Sequence, residues 1–125
     1  MLDERPTAGE LVAAVADFLE REVGPALSGR NAFHAKVAAN ALRIVERELR
    51  DGPAAVEADR ARLRELTGAD GTLPELNAVL AQQIRDGAAP QGTYDHIVRS
   101  VLARIAIDNP GYPSVRDAER YWPLP

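Results

Sequence analysis

The only side chains in this 125-residue chain that titrate near neutrality are two histidines, and there is no cysteine. Thiolate nucleophiles and thiolate metal sites are therefore excluded, and imidazole chemistry has to centre on His34 or His96. His34 is the more informative of the two. At 100° per residue it falls near the middle of an apolar helical arc, about 60° round from Val37, with Asn31 close to it one turn earlier. A polar ring in that position needs a partner, which allows two readings. Either it is a core histidine bonded to a carbonyl or carboxylate, or it is a ligand contact or general base. His96 falls on the opposite side of its helix from Tyr94 and Val98 and reads as exposed.

Other polar groups divide in the same way. Asn40 flanks Phe33 at the edge of the arc and suits an interhelical hydrogen bond as well as a ligand contact. Glu48 lies inside the arc, but a helix rises about 21 Å over the fourteen residues from His34, so the two cannot form one site within a single helix. Lys36, Arg43, Arg47 and Arg50 share an outer face, which reads as a solvated surface or as a receptor for an anion or acidic partner. Arg104, Asp108 and Asn109 precede Pro110-Gly111-Tyr112 in the densest cluster of polar and turn-forming residues. That cluster is either a helix stop or one wall of a cleft shared with His34. The candidate small-molecule set is thus His34, Asn31, Asn40, Arg104, Asp108 and Asn109. No catalytic residue, metal ligand or cofactor is assigned, because the sequence has no G-x-S-x-G elbow, Walker loop, H-E-x-x-H or EF-hand spacing.

The elements that must position these groups are helices. Thr7 and Glu10 have capping-box spacing, and Leu11, Val15 and Phe18 recur at helical intervals until Gly24-Pro25, predicting a helix over about 8–23. A second helix over about 30–50 places Phe33, Ile44, Val37, Ala41, Val45, Ala38, Leu49 and Leu42 on an arc of about 180°, wide enough to predict burial against several neighbours. Asp51-Gly52-Pro53 predicts its end. A third helix, about 53–67, turns Val56, Leu63 and Leu66 inward. Thr72 and Glu75 cap a fourth over about 73–86, with Leu76, Val79, Leu80 and Ile84 as its apolar face. Thr93 caps a fifth, about 93–108, in which Tyr94, Ile97, Val98, Val101, Leu102, Ile105 and Ala106 share an arc. No segment alternates at period two. The expectation is a single all-α domain, a bundle of about five mostly antiparallel helices. A proline-rich tail follows over 110–125, with Tyr121 and Trp122 folding back onto the bundle, after a short turn capped by Ser114, or meeting a partner.

Composition narrows the function. The net charge is −4, and a single lysine accompanies the arginines among 15 basic residues, which argues against a nucleic-acid-wrapping surface. No apolar run is long enough to span a membrane and the N-terminus has no secretory pattern, so a cytoplasmic protein is expected.

Three strings, Arg5-Pro-Thr-Ala8, Ala32-Phe-His-Ala-Lys-Val-Ala-Ala-Asn-Ala-Leu42 with Val45-Glu-Arg-Glu-Leu49, and Ile105-Ala-Ile-Asp-Asn-Pro-Gly-Tyr112, resemble a family of small bacterial proteins known as a domain of unknown function. Members of that family tend to be encoded beside aminoglycoside-phosphotransferase-like kinases and acyl-CoA dehydrogenases. The resemblance implies an accessory role toward such an enzyme and assigns no residue a function. Two hypotheses follow. The first is a non-catalytic helical interaction protein whose partner is a second copy of itself or a neighbouring metabolic enzyme. The second is a small-molecule-binding, even enzymatic, protein with a pocket around His34.

Overall fold

A computed structural model describes residues 4–118 and 120–122, and among these every regular element is helical, so the fold is all-α. The elements are α1 (Ala8–Phe18), a π-helical turn (Leu19–Val23), α2 (Gly24–Ala26), α3 (Gly29–Thr67), α4 (Leu73–Arg85), α5 (Thr93–Asp108) and α6 (Pro113–Ala118). The chain divides into two compact units, Met1–Gly52 and Pro53–Pro125.

Caps open α1 and α4 as the sequence implies, whereas α5 departs from it: its N-cap is Gly92 at φ 96°, and Thr93 is the first helical residue, its hydroxyl donating to the Pro90 carbonyl at 2.6 Å and capping nothing. The Thr7 hydroxyl accepts from the Glu10 N–H at 3.1 Å, and Thr72 with Glu75 forms a complete capping box that opens α4. The chief departure is at Gly52-Pro53. The second and third helices expected from the sequence are one helix, α3, with Pro53 in its interior. Proline there forfeits the bond to the carbonyl of Leu49 and carries a cost of about 3 kcal/mol relative to alanine. Glycine at 52 eases it, because the residue before a proline is restricted partly through its own Cβ. The vacant side-chain position is also used: the Glu48 carboxylate lies over Gly52, where a Cβ would stand 3.0 Å from Oε1.

Among the described residues of the first unit, the buried side chains are alanines: Ala16 of α1, and Ala35 and Ala39 of α3. Ala35, Ala39 and Arg43 recur at intervals of four, one row of the helix surface. Arg43 reaches from the end of that row to Asp17 at 2.6 Å and Glu20 at 3.0 Å, so the row faces α1. Small side chains bring the two backbones close, and a charged fork locks their register. The arc expected in the core points elsewhere. Phe33, Val37, Val45 and Leu49 are all exposed, as are Leu11, Val15 and Phe18 of α1.

In the second unit, Leu63 of α3 packs with Leu76 and Leu80 of α4, flanked by Leu66, Ala69 and Leu73. Leu63 and Leu76 are fully sealed. Val56, Val79 and Ile84, expected inward, are exposed. α5 is likewise rotated from expectation: it buries His96, Leu102 and Ile107, while Tyr94, Ile97 and Val101 are exposed. Of the expected tail, 119 and 123–125 lie outside the described residues; within the rest Trp122 returns onto α5 while Tyr121 is exposed. α6 packs on α5, burying Val115, and it begins at Pro113, so Ser114 lies inside the turn and does not cap it. Trp122 then meets the Tyr94 ring edge-on at 6.5 Å.

Candidate functional site

Within the first unit, Asn31 and Asn40 do not gather around His34. The His34 ring is exposed, and its Nε2 accepts from Arg30 Nε at 3.1 Å, with Phe33 edge-on at 5.7 Å. Asn31 and Asn40 are also exposed on the same helix and make no bond to it. The expected core histidine is thus a surface one, because the inward row of α3 is Ala35, Ala39 and Arg43. Arg104, Asp108 and Asn109 belong to the second unit. Arg104 grips both oxygens of Asp108 at 3.0 and 2.8 Å, and Asn109 ends α5 through its N–H to the Ile105 carbonyl at 2.7 Å. That cluster is a helix stop braced by an i,i+4 ion pair.

The proposed basic face is also redistributed. Lys36 is exposed and Arg47 is half-buried. Arg43 is not on an outer surface, since its guanidinium is spent on Asp17, Glu20 and Glu46. Those bonds hold Arg43 firmly charged. In return its hydrogen bonds pull the Asp17 and Glu20 carboxyls below their ordinary range. Arg50 is turned onto its neighbour Asp51 at 3.1 Å. With Arg43 and Arg50 engaged by carboxylates, the four cations do not form one receptor for an anion.

The sequence reading missed His96. It is 5% exposed and lines a cleft of about 420 Å³ in the second unit with Arg62, Glu65, Leu66, Gln91, Gly92 and Asp95. The cleft forms where the N-terminus of α5 passes the last turns of α3. Its polar wall is a relay. Asp59 accepts from Arg62 at 2.7 Å and from the Ser100 hydroxyl, and Arg62 Nε donates to His96 Nδ1 at 3.4 Å. An Nδ1 that accepts leaves the ring proton on Nε2. The missed signal is polar periodicity: His96, Ser100, Ala103 and Ile107 form one side of α5, and Asp59 and Arg62 lie one turn apart on α3.

Chemically this relay is structural. Ser100 donates to Asp59 and not to an imidazole, and Arg62 stands between the carboxylate and His96, so no base is aligned on a nucleophile. Among the described residues no group of three His, Asp or Glu side chains is placed to hold a metal ion. Burial is the main reason that His96 is held below the ordinary histidine value of 6.5; Arg62 adds to this, and Asp59 and Asp95 oppose it. The sign of the linkage follows. Between the unfolded and the lower folded value the unfolded chain binds the extra proton, so stability is complete above about pH 6.5 and falls as pH drops below it. Urea melts at pH 7.5 and 5.5 are expected to show this loss, and His96→Gln to flatten it.

What the described residues present outward is apolar. The exposed large hydrophobics number sixteen, from Leu11 to Tyr121, whereas nine apolar residues are buried, three of them alanine. A single exposed leucine needs no explanation, but helical rows of exposed apolar side chains are characteristic of surfaces that a partner covers. No helix among the described residues is long and apolar enough to cross a membrane.

Fold and surface together define the class: an all-α protein with alanine contacts in its first unit, a leucine cluster in its second and exposed apolar helix rows. The chain belongs to a family known as a domain of unknown function, DUF6285, whose model matches residues 25–112. No curated protein and no solved structure matches it.

Proposed function

We propose that this protein is a non-catalytic helical interaction protein, an accessory subunit of the cytoplasm that presents apolar helix faces to another protein. The observation that supports this reading is the outward row Phe33, Val37, Val45 and Leu49 on α3, with Leu11, Val15 and Phe18 exposed on α1. A two-helix unit that buries only alanines gains little from its own hydrophobic contacts, and burying those rows against a partner supplies the missing stabilisation. The family resemblance adds the kind of pathway, an enzyme of acyl-CoA or phosphotransferase metabolism, as the setting for the accessory role.

The test is native mass spectrometry of the protein purified gently from its host, beside a Val37→Glu/Val45→Glu variant. Both substituted positions are exposed, so helicity by circular dichroism should be unchanged. The expected result is an assembly heavier than one chain that the double variant no longer forms. A strictly monomeric wild type with no bound protein, or an assembly indifferent to the two charges, would overturn the proposal.

A further inference from the structure

From the row on α3 we infer that one occupant of this face is a second copy of the chain, docked antiparallel about a two-fold axis at Ala41. The inference rests on the interaction reading above and adds the partner and its geometry. Phe33, Val37, Ala41, Val45 and Leu49 recur at intervals of four and are all exposed. Such a row is a ridge inclined to the helix axis, and two equivalent ridges interdigitate when their helices cross at about 50°. Crossed helices are closest at one point and diverge on either side of it. The side chains fit that profile: alanine at the centre, valine one turn away on each side, and phenylalanine and leucine at the ends.

A two-fold axis at Ala41 sets Ala41 against its own copy, Val37 against Val45 of the second copy and Phe33 against its Leu49. A parallel pair would instead set each valine against its own copy and the two phenylalanines together at one end, and would align the two helix dipoles. The ridge and its flanks offer about 500 Å² per chain, or about 1,000 Å² for the pair, at the threshold for a specific interface. An interface of that size belongs with weak, reversible associations.

The chain has no cysteine, so single-cysteine variants report the geometry directly. Ala41→Cys should give a disulfide-linked dimer under mild oxidation at about 50 µM, because only residues at the crossing lie within disulfide reach of their own copy. Val37→Cys alone should not link to itself but should link to Val45→Cys when the two proteins are mixed. Lys36→Cys measures the background from random collision. Ala41→Arg, on an exposed position, should weaken the dimer about 100-fold by burying an unpaired charge. A dimer in which Val37→Cys links to itself as readily as Ala41→Cys does, or in which neither exceeds the Lys36→Cys background, would overturn the antiparallel ridge. A wild-type chain that stays monomeric at about 100 µM would overturn the second copy as occupant. If that monomer still enters an assembly with a different protein, lost in Val37→Glu/Val45→Glu, the interaction reading survives; if it does not, both fall.

Discussion

Leu63→Ala is expected to destabilise the second unit by about 3 kcal/mol, within the range for leucine truncations in sealed cores. Leu63 is the hinge between α3 and α4, fully buried against Leu76 and Leu80. Two fully sealed leucines in direct contact leave little room for the surroundings to collapse into the cavity, so the cost should lie well above simple transfer. Few other large side chains share the load, since the remaining buried apolar residues of this unit are Leu102, Ile107 and Val115. Urea melts followed by helical circular dichroism should show a midpoint lower by about 1–2 M for a slope typical of a small domain. Val101→Ala, at a position 50% exposed, serves as the comparison and should cost well under 1 kcal/mol. An equal loss in both variants would mean that Leu63 is not the centre of this core.

The same contrast explains what was legible in the sequence. The caps at Thr7 and Thr72 were readable because each depends on residues three apart and on nothing distant. The helical class was readable from periodicity alone, and the return of Trp122 from the size of its ring. The orientation of α3 was not. Its apolar arc predicted burial, but the row that faces α1 is chosen by Ala35 and Ala39, which permit close approach, and by Arg43, whose carboxylate partners lie 23 and 26 residues away. No local pattern encodes such partners. The continuity through Pro53 escaped for a related reason, because Gly52-Pro53 carries a stop signal that the Glu48 side chain and the glycine together defuse. His34 was singled out as a polar group on an apolar arc, and that placement was right. The inference that the arc is buried within this chain was the step that failed: Phe33, Val37, Val45 and Leu49 are exposed.

The rotation of α5 shows the principle at higher cost, and Asp59 is where it can be measured. Turning His96 and Ser100 inward places polar groups in the interior, which is tolerable only if each finds a partner. Asp59 supplies it, accepting from Ser100 and Arg62 together, while Arg62 reaches on to His96. Asp59→Ala should therefore strip two donors at once and cost about 2 kcal/mol, more than either hydrogen bond deleted from the donor side. Ser100→Ala removes donor and need together and should cost less than 1 kcal/mol. In the double variant the serine no longer lacks an acceptor, so the losses should fall short of additive by about 0.5–1 kcal/mol. Asp59→Asn separates shape from charge: it keeps an acceptor for Ser100 but faces Arg62 without the carboxylate, and should fall between the two single variants. Strict additivity in this cycle would mean that α5 is held in its orientation by Leu102 and Ile107 alone, and that the polar relay follows from that packing without helping to select it.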